Sequence, residues 1–98
     1  MIPAQGVHVV STDALVDAPV VNSAGDELGR LAYVMLDVAE GRVAYAVLAH
    51  GGVLGLGEQL FAIPWQSLQL DESRDRFVLD VASEKLTTLF PREDPVDV

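Results

Sequence analysis

Cysteine is absent from this sequence. No disulfide framework is open to the chain, and zinc sites built on thiolates are excluded. Basic residues are scarce. Six Lys and Arg stand against fifteen Asp and Glu, a formal net charge of −9. Arg30, Arg42, Arg74, Arg76, Lys85 and Arg92 are scattered singly, apart from the close pair Arg74 and Arg76. Nucleic-acid binders need a basic patch to neutralise phosphates. Direct DNA or RNA contact is therefore disfavoured, as is attraction to anionic lipid. Long hydrophobic runs are also missing. No segment approaches the roughly 20 continuous apolar residues of a membrane helix, so membrane insertion is not expected. The stretch Met1-Ile2-Pro3-Ala4-Gln5-Gly6 carries no positive charge and no apolar run, unlike a signal peptide. Together with the missing cysteines this points to a cytoplasmic location.

What is present is material for one core. The 98 residues are half apolar. A chain of that size buries roughly 60–70% of its unfolded surface, enough for a single domain. Residues 1–98 are read as that domain, with a core over about 7–90 and a mobile tail over 91–98. The acidity is read as solubility by self-repulsion, with an acidic docking face or adaptation to high salt as alternatives.

The pattern along the chain is one of short strands. Val7 to Val10 is a β-branched lead-in strand. Ser11-Thr12-Asp13-Ala14-Leu15 has the acceptors of a capped turn. Pro19-Val20-Val21 is extended, and Asn22-Ser23-Ala24-Gly25-Asp26 is turn chemistry. Leu31 to Val38 reads as a strand that is apolar on nearly both faces, as in a closed barrel or sandwich. Asp37 to Arg42 is a hairpin signal with Gly41 at the left-handed position. Val43 to Ala49 is its partner. A glycine-rich connection spans Gly51 to Gly57, then Gln59 to Ile63 forms a strand stopped by Pro64. Trp65-Gln66-Ser67 is a tight turn. Leu68 to Leu70 and Arg76 to Val81 are strands, joined by a polar turn. Ser83 to Phe90 makes one or two helical turns, capped by Ser83 and ended by Pro91. Turn roles fall to Gly25, Gly29, Gly41, Gly51, Gly52, Gly55, Gly57 and Pro64. Six or so strands and one short helix predict a mainly β fold, a small barrel.

Four pieces of the chain, in order, resemble the PRC-barrel domain. They are Val20-Val21-Asn22-x-x-Gly25-x-x-Leu28-Gly29-x-Leu31; Met35-Leu36-Asp37 with Gly41-Arg42-Val43-x-Tyr45-Ala46-Val47-Leu48; Gly51-Gly52-x-Leu54-Gly55-x-Gly57; and Phe61-Ala62-Ile63-Pro64-Trp65. The resemblance runs from about Thr12 to Phe90. It implies a β-barrel of about six strands. It also implies kinship with the cytoplasmic domain of a photosynthetic reaction centre protein and with the C-terminal domain of the ribosome maturation factor. The chain shows neither the membrane helix of the first nor the extra N-terminal domain of the second. It matches the stand-alone members better, and the family brings no catalytic motif.

No candidate for chemistry survives inspection of spacing. The glycine run lacks the lysine of a phosphate loop, and Gly55-x-Gly57 leads into a strand instead of a helix. His8 and His50 are the only histidines, and neither belongs to an H-x3-H pair that Asp37 or Glu58 would complete as a metal site. No serine lies in a nucleophile elbow. Asp71-Glu72 and Glu93-Asp94 sit in polar stretches and read as solvated. No cofactor, no metal and no enzymatic activity are expected.

What is left is a surface. Val53, Leu54 and Leu56 are apolar at the tip of a loop. Either they fold back over a barrel end or they form an interface. Trp65 is a core residue or an interface anchor. The expected function is a protein-interaction or assembly module, a homodimer or higher oligomer with an unidentified protein partner. The alternatives are an accessory of ribosome or RNA maturation acting through a ribosomal protein, and a small-ligand or metal carrier.

Overall fold

A computed structural model describes residues 9–52 and 57–93. Its first regular turn is α1, Thr12–Leu15. The Ser11 hydroxyl accepts from the Asp13 N–H at 3.2 Å, the capping expected of that serine. Val9 and Val10 form no strand. Val10 packs on the core from an irregular segment, while Val7 and His8 lie outside the described residues.

Six strands follow: β1, Pro19–Val21; β2, Glu27–Asp37; β3, Arg42–His50; β4, Gln59–Pro64; β5, Leu68–Asp71; and β6, Arg76–Leu79. They form one sheet in the order β4-β3-β2-β1-β6-β5. All neighbours are antiparallel except β1 and β6. β4 and β5 stand at opposite ends of this order, yet only the 3₁₀ turn Trp65–Ser67 joins them. Four Cα steps span at most about 14 Å. The sheet must therefore curl until its two edges meet at that corner, which makes it a half-barrel.

Bulges supply the curl. The pairing slips between Val20 and Val21, which leaves Leu28 as the extra residue of β2. Further slips between β2 and β3 leave Ala32 and then Ala44 unpaired. Each extra residue bends the strand and sharpens its twist. Gly29 belongs to this mechanism. It lies inside β2, paired with Val20, at φ +149°. It is not a turn residue, because the strand begins four residues earlier than its apolar pattern implies. Gly25 and Gly41 do occupy turns, at φ +89° and +69°.

The concave face holds the core. Val20, Leu28, Leu31, Leu48, Phe61, Ile63, Phe77 and Leu79 are all at most 2% exposed. Burial of each such side chain contributes roughly 1.5–3 kcal/mol. The 3₁₀ turn Ser83–Lys85 and the short helix α2, Leu86–Leu89, close one end of the half-barrel, with Leu86 inside the core. Ala82, not Ser83, precedes this turn, and no side chain caps it.

Asn22 fastens the same end. Its Oδ1 accepts from the Ala24 and Asp26 N–H groups at 3.1 and 2.9 Å. Its Nδ2 donates to the Val81 carbonyl at 3.2 Å, which ties the β1–β2 turn to the exit of β6. The sequence pattern places Asn22 in the turn. Its contribution is the side chain, which makes an Asx-type turn.

The start of the expected mobile tail is ordered along β4. Arg92 bridges to Phe61. The Ala62 N–H donates to the Pro91 carbonyl at 2.9 Å, and the Glu93 N–H donates to the Leu60 carbonyl at 2.8 Å. The outer edge of β4 is covered there because unpaired strand donors and acceptors recruit the nearest extended backbone. No helix among the described residues is long and apolar enough to cross a membrane.

Candidate interaction surface

The end opposite α2 is open. There α1 approaches the starts of β1 and β6, and the 3₁₀ turn carries Trp65. Two adjoining cavities of 390 and 350 Å³ share Val10, Leu15, Leu70 and Phe77 in their walls. Trp65 and Val43 wall the second. Together they form a groove between β5 on one side and the N-terminal end of β3 on the other. Its floor is apolar because Leu15 and Phe77 belong to the core. Its rim is wet, since Leu70 is 40% exposed.

Trp65 packs on the core and borders the groove. Its indole packs against the ring of Phe77, with centroids 5.8 Å apart and planes tilted by 59°. The rest of the half-buried side chain faces the groove. Pro64 is the last residue of β4, paired with Tyr45, and sets the extended geometry from which the turn begins.

The β2–β3 hairpin extends this face. Leu31, Val34 and Leu36 form one inward row, opposite Leu48, Ala46 and Val43 of β3. Burial falls along the row. Leu31 is 1% exposed, Val34 is half-buried, and Leu36 is 61% exposed. Val38, just past the strand, is 85% exposed. The expectation that this strand is covered on both faces therefore fails at its outer end. The neighbouring strand differs: in the middle of β3, Val47 and Ala49, opposite in alternation to Ala46 and Leu48, are also buried.

The charges around the groove are mainly acidic. Glu72 and Asp75 contribute to its wall, and no Lys or Arg does. Arg74 and Arg76 beside it are engaged. Arg76 donates to Asp71 at 3.1 Å, and Arg74 lies 3.8 Å from the same carboxylate. The Ser73 hydroxyl also donates to Asp71, at 2.8 Å. That bond and the Arg76 guanidinium hold the Asp71 carboxyl below the ordinary aspartate range. Beside α1, Arg30 bridges Asp17 at 2.8 Å and Glu58 at 3.1 Å.

The remaining expected positions fare variously. Val53, Leu54, Gly55 and Leu56 lie outside the described residues. Gly51, Gly52 and Gly57, which flank them, have φ of +75°, +81° and +80°, as turn glycines do. The Nδ1 of His50 lies in hydrogen-bond contact with the Leu28 carbonyl, and its ring meets Phe61 edge-on. A carbonyl only accepts, so that nitrogen is the protonated one and the histidine serves the scaffold. Among the described residues, no three His, Asp or Glu side chains converge as a metal site.

The model of the PRC-barrel domain matches the chain over residues 8–86. This chain belongs to the PRC-barrel family. The matched span takes in all six strands of the half-barrel and ends at Leu86, the helical residue that plugs its closed end. No curated protein matches this PRC-barrel chain.

The sequence pattern pointed to Trp65 as a surface candidate and missed the residues around it. Val10, Leu15, Val43, Leu70 and Phe77 come from five separate segments. Only the curl of the sheet brings them together. Leu36 and Val38 were legible as apolar, but their exposure was not, since burial depends on how far the rest of the barrel reaches along the hairpin.

Proposed function

We propose that this PRC-barrel chain is a non-catalytic protein-interaction module that assembles with copies of itself and docks a protein partner. The observation that carries the proposal is the apolar row of β2, which runs out of the core and ends in exposed Leu36 and Val38. Exposed apolar clusters on a small domain mark contact surfaces. The net charge of −9 favours dispersal elsewhere on the surface, whereas at the hairpin tip Arg42 offsets one of Asp37 and Glu40, so a contact between copies is best made there.

Light scattering on the wild type and on the double variant Leu36→Ser, Val38→Ser tests it. The wild type is expected to be a dimer or larger, the variant a monomer. Stability should shift by less than about 0.5 kcal/mol per site, as is usual for exposed positions. A wild type that stays monomeric at high concentration overturns self-assembly through the hairpin.

A further inference from the structure

We propose that the groove beside Trp65 takes an extended peptide segment of a partner, with apolar side chains alternating with lysine or arginine, laid along the free edge of β5. The proposal rests on the chain being an interaction module and names the surface and the chemistry of the partner.

Three observations converge on it. First, β5 ends the sheet, and no described residue pairs with its outer edge, whereas the other edge strand is covered by residues 91–93. Such an edge can accept the backbone of an added strand. Second, the groove runs beside that edge. Leu70 comes from β5 itself, and Val43 and Trp65 stand opposite. Alternate side chains of an added strand point to one face, so every second residue of the peptide would enter the groove. Third, Glu72 and Asp75 line the wall, and no Lys or Arg does. A basic side chain where the peptide runs past the end of β5 meets that wall, and basic residues between the apolar anchors, which point away from the groove, suit the net charge of −9.

Trp65 is the only tryptophan of the chain and so reports on the groove directly. The probe is a synthetic eight-residue peptide alternating lysine with valine or leucine. It is expected to shift Trp65 emission saturably. Leu70→Ser should weaken binding roughly tenfold or more, the usual cost of losing one apolar pocket contact. The pair Glu72→Gln, Asp75→Asn, which leaves the apolar wall intact, should weaken it several-fold. Methylating alternate peptide amides should also weaken it in one of the two registers, because strand addition uses those donors.

Several results overturn the proposal. One is no saturable change in Trp65 emission. Another is equal binding of a lysine–serine peptide, which would make the attraction charge alone. A third is equal binding of a glutamate–valine peptide. Indifference to methylation in both registers overturns strand addition. A Leu70-dependent dimer that takes no peptide assigns the groove to a second copy. If the peptide arms fail while Leu36→Ser, Val38→Ser still dissociates the assembly, the groove proposal falls and the module stands.

Discussion

Gly29 of β2 presses its Cα against the backbone carbonyl of Ala49 in β3, so closely that a methyl group there would collide with the oxygen. The approach is a product of the bulge at Leu28, which swings β2 toward its neighbour as the sheet curls. Two adjacent features of this strand thus depend on each other.

Gly29→Ala is expected to be among the most damaging single substitutions in the chain. It adds a Cβ both at a positive φ and into backbone. The cost should be on the order of 3 kcal/mol or more. For a domain of this size that lowers Tm by at least ~10 °C. Gly41→Ala is the control. Its φ is +69° but its surroundings are open, so only conformational strain applies, about 1–2 kcal/mol. Thermal unfolding of both proteins checks the ranking, and equal losses would refute the steric account.

Asp71 sets an acid limb to stability. Ser73 and Arg76 hold its folded-state carboxyl below the ordinary value of 3.8. The contribution is complete above that value and is lost as pH falls through the lower, folded one. Denaturant unfolding between pH 2 and pH 6 (chosen to bracket the ordinary aspartate range) should show a slope that flattens in Asp71→Asn. An unchanged slope would mean the Ser73 and Arg76 contacts do not persist in solution.

Tyr45 sets the alkaline counterpart. Hydrogen bonding to the Glu93 carboxylate raises its hydroxyl above the ordinary value of 10.0. A raised value stabilises the fold below 10.0 and ceases to do so as pH rises through the folded one. Absorbance titration should show Tyr45 ionising late, a component that Tyr45→Phe removes. Glu93→Gln should bring it back toward the ordinary value. If Tyr45 titrates normally in the wild type, residue 93 does not hold its place on the sheet.

Much of the fold was legible in local chemistry. The Ser11 cap, the turn at Gly25 and the hairpin at Gly41 are each fixed by residues within a few positions of one another. Strands β3, β4 and β5 fall within a residue or so of their apolar runs. β2 was misjudged at its start because a bulge breaks the alternation that marks a strand, and Gly29 then resembles a turn. The first residues after Pro91 looked mobile because they are polar and contain proline. What holds them is the unpaired edge of β4, some thirty positions earlier in the chain. The groove was hidden for a related reason. Its walls are assembled by curvature, and curvature comes from bulges, which leave little trace in composition. Trp65 was visible as a candidate because a lone tryptophan beside a proline stands out whatever surrounds it.

The short strap of residues 91–93 along β4 fixes how many strands this sheet can gain. Any open sheet has two growing ends, and a domain with both available can be threaded into an endless ribbon. Here one edge is already engaged by the chain's own backbone, so among the described residues only β5 offers an edge to a further strand. Two copies joined edge to edge through β5 would leave no further strand edge open among the described residues, a counted complex instead of a filament.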